Sequence, residues 1–160
     1  MDNLVGGEFI SRVVNQYSDT IVRIAVQYTR NRADAEDIMQ EVFLSLLKQP
    51  SFNDERHLKA WLIRVAINKS KNHLKVAART KTVPLADAEH YLTKSQHSML
   101  EELNELPEQD RNAVYLFYYE GYTAKEIASL IGGSQKAILM RLSRAREKLR
   151  HLLDVSAKPY

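Results

Sequence analysis

The stretch YTAKEIASLIGGSQKAILMRLSRAREKLRHLL, from Tyr122 to Leu153, decides how the rest of the chain is read. Thr123 with Glu126 three residues on has the form of a capping box, in which a hydroxyl and a carboxylate satisfy backbone N–H groups that the first helical turn leaves open. Ile127, Ala128, Leu130 and Ile131 predict a short amphipathic helix, and Gly132 and Gly133 stop it. Ser134 then caps a second helix. Its apolar residues Ile138, Leu142, Ala145, Leu149 and Leu152 recur at three- and four-residue steps, so they share one inward stripe. A helix turns 100° per residue, which sends Lys136, Leu139, Met140, Ser143, Arg144 and Glu147 to the opposite side. Two capped helices around a glycine turn, the second with a basic exterior, fit a helix-turn-helix. Such a helix matches the width of the major groove, and its N-terminal half can reach base edges while Arg and Lys neutralise phosphates. A basic face alone would suit any solvated helix; the caps, the turn and the basic exit together favour DNA.

Upstream, Pro107 sits where a proline is tolerated at a helix start, Val114, Phe117 and Tyr118 are the expected buried side of that helix, and Gly121 ends it. Leu100, Leu103 and Leu106 open this second helical unit near Ser98. Between about Val76 and Gln96 the apolar periodicity fades among Thr80, Thr82, Pro84, Asp87 and Ser95, the composition of a flexible linker.

The N-terminal half predicts three helices sharing a small core. Ile10, Val13, Val14, Tyr17, Ile21, Ile24, Ala25 and Tyr28 line one side of the first. Asn31 and Asp34 resemble the start of the second, whose inner residues are Ile38, Val42, Phe43, Leu46 and Leu47 up to a break at Pro50. Gln49 to Leu58 reads as a loop. Leu58, Trp61, Leu62, Val65, Ala66 and Leu74 give the third helix its inner side, and its register makes Trp61 a packing residue before a base-stacking one.

The fold class is therefore all-α, two small helical domains joined by a linker, with boundaries at 1–76, 77–97 and 98–160. Five Gly and four Pro are too few for the frequent turns of an all-β chain. Cysteine is absent, which excludes disulfides, thiolate zinc sites and cysteine nucleophiles. The scattered histidines lack metal-ligand spacing, and no phosphate-cradling glycine loop occurs, so no cofactor, metal or catalytic residue is expected. No stretch reaches the roughly 18 apolar residues of a membrane span, and the start of the chain does not resemble a signal peptide, so a cytoplasmic protein without membrane insertion is expected.

The formal net charge is +3, and its distribution says more than its size. From Lys59 to Lys81 seven bases occur with no acid among them, and from Lys136 to Arg150 six bases meet only Glu147. Acids gather at Asp34, Glu36, Asp37 and Glu41 and again from Glu101 to Asp110. Two basic segments separated by acidic ones point to two contacts with nucleic acid and to other surfaces for protein or water.

Three segments in order resemble the extracytoplasmic-function (ECF) group of bacterial RNA polymerase sigma factors. DAEDIMQEVFLSLLK, Asp34 to Lys48, is similar to the family's core-binding helix. AWLIRVAINKSKNHLK, Ala60 to Lys75, is similar to its promoter-melting and minus-ten segment. ELPEQDRNAVYLFYYEGYTAKEIASLIG, Glu105 to Gly132, followed by LSRAREKL, resembles its minus-thirty-five domain. The resemblance spans nearly the whole chain apart from the termini and linker.

The resemblance implies a chain that brings core polymerase to promoters and assists their opening. Asp34, Glu36, Asp37, Gln40 and Glu41 would dock on the clamp helices of the largest polymerase subunit, with a further contact to the flap of the second subunit. Asn53, Arg56, Lys59, Arg64, Asn68, Lys71, Asn72 and Lys75 would hold the opened minus-ten strand. Ser134, Gln135, Lys136, Leu139, Met140, Arg141, Arg144 and Arg146 would meet the minus-thirty-five duplex. An anti-sigma protein is a further partner that the family implies. Where the family often has a pattern like G-T-V-K-S-R, this chain has Lys136, Ala137, Ile138, Leu139, Met140 and Arg141. Leu139 and Met140 then leave three readings: contact with thymine methyl groups, a protein contact, or weakened base readout with the arginines still on phosphates. A stand-alone helix-turn-helix regulator is the alternative, and it would need only the C-terminal basic segment.

Overall fold

The computed structural model describes residues 7–49, 51–80 and 105–156, apart from the side chains of 77–80 and 151–156. Every regular element among the described residues is helical. The chain divides into two compact units, the first holding three helices and the second the remainder. Pro50, the expected linker from 81 to 97, Leu100 and Leu103 lie outside the described residues, as does the side chain of Leu152.

The first unit contains α1 (Gly7–Thr29), α2 (Arg32–Leu46) and α3 (Glu55–Thr80). Val13, Tyr17, Ile21, Ile24 and Ala25 of α1 meet Ala35, Ile38, Val42 and Leu46 of α2 in one core. The corner between these helices is tight. Arg30 takes φ 52, the single positive value at a non-glycine position among the described residues. The buried Thr29 hydroxyl donates to the Asn31 carbonyl at 3.1 Å and accepts the Asn31 N–H at 3.3 Å. Asn31 in turn caps α2, its side-chain oxygen accepting the Asp34 N–H at 3.0 Å, as the sequence suggests.

Helix α3 packs against both α1 and α2, so its buried arc is wider than one stripe. Leu58, Leu62 and Ala66 are buried as expected, and Ile63 and Ile67, outside the expected stripe, are buried too. Trp61, Val65 and Leu74 are only half-buried. Trp61 packs edge-on against Phe52 at 5.5 Å between centroids, and Phe52 packs likewise on His57 at 5.2 Å. The helix begins at Glu55, three residues inside the expected loop, because the Asp54 carboxylate accepts the His57 N–H at 2.8 Å and the Asp54 carbonyl accepts that of Leu58. It continues to Thr80, past the point where the apolar pattern fades. Glu55 also fastens α3 to α1, bonded to Arg12 at 3.2 Å and to the Tyr17 hydroxyl at 2.5 Å. The Arg12 and Tyr17 hydrogen bonds hold its carboxyl below the usual glutamate range.

The second unit contains α4 (Glu108–Val114), a π-helical turn over Tyr115–Tyr119, α5 (Ala124–Ile131) and α6 (Gln135–Ser156). Leu106, Ala113, Val114, Tyr115, Leu116, Ile127, Leu130, Ile138, Leu142 and Ala145 form its core. The expected inner positions Phe117 and Tyr118 are corrected: Phe117 is half-buried and Tyr118 exposed, with Tyr115 and Leu116 inside instead. The π turn is the cause, since hydrogen bonds spanning five residues rotate the side chains out of the 3.6-residue register. Gly121, at φ 75, ends the segment, and the Tyr122 N–H reaches back to the Leu116 carbonyl at 3.0 Å.

Candidate nucleic-acid interface

Helix α5 has the complete capping box. The Thr123 hydroxyl accepts the Glu126 N–H at 3.1 Å, and the Glu126 carboxylate accepts the Thr123 N–H at 2.9 Å. Gly132 and Gly133, at φ 93 and 97, form the turn, a conformation that side-chain-bearing residues rarely adopt. The Ser134 hydroxyl then accepts the Ala137 N–H at 3.0 Å and starts α6. Ile138, Leu142 and Ala145 anchor α6 inward, and Leu149 is half-buried.

This anchoring leaves Ser134, Gln135, Lys136, Ser143, Arg144, Arg146 and Glu147 exposed and Arg141 half-buried. Leu139 and Met140 are 49% and 56% exposed, on the outer face where the periodicity places them. Arg144 differs from the others. Its guanidinium donates to the Asp110 carboxylate of α4 at 3.4 Å, and that carboxylate is buried while the arginine is exposed. It can hold α6 to α4 and still offer charge to a phosphate.

A second cationic surface lies on α3. Arg64, Asn68, Lys71, Asn72 and Lys75 are exposed along one face whose eleven-residue separation corresponds to about 16 Å of helix. Asn53 and Arg56 are exposed near the start of α3, and Lys59 is half-buried. The Asn53 backbone N–H donates to His57 Nδ1 at 3.0 Å, which holds the preceding loop against the helix.

The acidic residues of α2 are used unequally. Asp34 is part-buried with its carboxylate 3.1 Å from Nε2 of His73 on α3, and Glu36 accepts from Arg32 Nε at 3.0 Å. Asp37, Gln40 and Glu41 are exposed. Leu44 and Leu47, 59% and 50% exposed, continue the same row, so the expected inward placement of Leu47 is corrected. With Ala35, Ile38, Val42 and Leu46 inside, Leu44 stands 200° from both Val42 and Leu46. That register is the signal by which the sequence could have exposed both leucines.

The α2 and α3 surfaces share an edge. Glu41 lies 3.9 Å from Lys69, and both line an open cleft of about 420 Å³ with Asn72, His73, Lys75 and Val76. Among the described residues no cluster of side chains is arranged to hold a metal ion, and no helix is long and apolar enough to cross a membrane.

A two-unit helical chain with a capped helix-turn-helix and a second cationic helix has the architecture of a transcription initiation factor. Sigma-70 region 2 matches residues 13–80, and Sigma-70, region 4 matches residues 96–149. The chain is 32% identical to the RNA polymerase sigma factor CarQ of Myxococcus xanthus, over 78% of this chain and 77% of that protein. It is 28% identical to the probable RNA polymerase sigma factor RfaY of Xanthomonas campestris over 89% of this chain, but spans only 40% of that longer protein. Among solved structures, CnrH in complex with the cytosolic domain of CnrY is 26% identical, with a TM-score of 0.65 over 94% of this chain and 92% of CnrH. The chain belongs to the ECF group of sigma-70 factors, proteins that direct transcription initiation.

Proposed function

We propose that this chain directs core polymerase to promoters through three surfaces with separate tasks. Asp37, Gln40 and Glu41, extended by Leu44 and Leu47, dock on the clamp helices of the largest subunit, with Asp34, which ties α2 to α3 through His73, and Glu36, paired with Arg32 within α2, beside them. The cationic face of α3, with Asn53, Arg56 and Lys59 at its start, holds the opened minus-ten strand. An unpaired strand offers closely spaced phosphates and unstacked bases, and an extended basic face meets both. Ser134 at the cap of α6, with Gln135, Lys136, Leu139, Met140, Arg141, Arg144 and Arg146 on the helix, holds the minus-thirty-five duplex, and the second unit also meets the flap of the second subunit. The bond-forming chemistry belongs to the core enzyme, and the chain acts in the cytoplasm beside it.

The observation that carries this reading is the presence of two exposed cationic helix faces in two separate units, with an acidic and apolar row beside the first. A stand-alone regulator has use for α6 alone and leaves the α3 face unexplained. Each unit by itself offers few charge contacts, so free protein binds promoters weakly. Docking on core fixes both units together and raises their effective concentration. CnrH binds another protein, the cytosolic domain of CnrY, which supports a protein partner for this chain as well, in keeping with the anti-sigma protein that the family resemblance implies. The test is run-off transcription with core polymerase lacking any other specificity subunit, together with promoter affinity measured with and without core. Core-dependent initiation from defined start sites is expected; absence of association with core, or equal affinity in both conditions, overturns the proposal.

A further inference from the structure

The outer face of α6 carries two large apolar side chains that its own unit leaves about half exposed, Leu139 at 49% and Met140 at 56%. They belong to the second helix of a capped helix-turn-helix, one turn after the exposed Ser134–Gln135–Lys136 start. In helical projection, Lys136 and Ser143 lie near one outward line, with Leu139 about 60° to one side and Met140 about 40° to the other. The helix from Lys136 to Ser143 rises about 10 Å, close to three base-pair steps. A major groove occupied by this face meets an apolar side chain on each side of a polar line.

The floor of that groove offers one apolar group, the 5-methyl of thymine. Guanine presents O6 and N7, adenine N7 and an amino group, and cytosine an amino group. A leucine or methionine pressed on those polar atoms removes their water without giving a partner; pressed on a methyl group it does neither harm. The exposed Lys136, Arg144 and Arg146 surround the pair with charge suited to phosphates, which favours DNA over an apolar protein surface as the occupant.

We propose that Leu139 and Met140 determine promoter choice by reading thymine 5-methyl groups in the upstream element. This rests on the assignment of α6 to the minus-thirty-five duplex. The element this chain prefers carries thymines at one or two neighbouring positions, and they are recognised by apolar contact in place of hydrogen bonds.

The test uses the full chain reconstituted with core polymerase on a promoter library randomised over the upstream element. The best-transcribed member is remade with deoxyuridine replacing each thymine in turn, which deletes the methyl group and leaves pairing unchanged. Initiation should fall about fourfold for each methyl group read. Leu139→Ala or Met140→Ala should abolish the distinction between thymine and deoxyuridine at its own position and leave the other position sensitive. Circular dichroism melting confirms that the variants fold, since both side chains are outside the core. Transcription insensitive to deoxyuridine throughout the element, or sensitivity that persists in both variants, overturns the assignment and transfers the two residues to a protein contact. Failure of the wild-type holoenzyme to initiate from any library member overturns the sigma-factor reading itself, a different result from initiation without methyl dependence.

Discussion

Truncating Leu44 and Leu47 together to alanine distinguishes a docking surface from a packing surface on one helix. Complete burial of a leucine from full exposure stabilises by about 1.5–3 kcal/mol. The two residues retain 59% and 50% of their exposure, so covering them with a partner is worth about 1 kcal/mol each. The double variant should bind core polymerase with about 2 kcal/mol less free energy, roughly thirtyfold weaker. Its own stability should change by less than about 0.5 kcal/mol, because neither side chain packs in the core. Leu46→Ala, on the same turn but facing inward, is the contrast. Leu46 is 1% exposed, and its loss should cost about 2–5 kcal/mol of folding free energy. Competition for labelled core, read by fluorescence anisotropy beside urea melts, measures both quantities. Core affinity within twofold of wild type for the double variant would refute the placement of the docking surface on α2.

Three other substitutions test separate parts of the structure. Arg144→Gln should lower the slope of log affinity against log salt for promoter binding by about 0.9 if the arginine reaches a phosphate; an unchanged slope assigns Arg144 to its Asp110 bond alone. Thr123→Ala removes half of the capping box and should destabilise the second unit by about 1 kcal/mol, a fall in its melting temperature of about 4–8 °C; unchanged amide exchange in α5 argues against that role. Glu55 has its folded pKa depressed by Arg12 and Tyr17, so its contribution is fully present above the ordinary glutamate pKa and lost as pH falls through the folded value. Urea melts across the acid range should therefore show a shallower pH dependence for Glu55→Gln than for wild type, and coincident curves would count against the triad.

The helix-turn-helix was legible because its determinants are local. Thr123 and Glu126, Gly132 and Gly133, and Ser134 act within a turn of their own position, so spacing along the chain already specifies their geometry. The Asn31 cap of α2 is legible for the same reason. What periodicity missed came from packing and from chain reversals. Ile63 and Ile67 are buried because α3 is enclosed from two sides, which a single-stripe reading of one helix does not anticipate. Phe117 and Tyr118 depart from the expected inner face because the π turn changes the residue count per turn at that point. Leu47 follows the buried Leu46 in sequence, but its angle on the helix turns it outward. The Asp110–Arg144 bond joins residues 34 positions apart and has no local mark at all.

The corner at Arg30 has a kinetic meaning. Thr29 and Asn31 brace the reversal from α1 to α2 by side-chain bonds inside the protein, so the proposed docking row of α2 would be set in position before any partner arrives. A surface ordered in advance loses little conformational freedom on association, and no refolding step stands between collision and capture. A binder landing there is limited by how often it arrives correctly oriented, a rate that complementary charge on the acidic row can raise and added salt can slow.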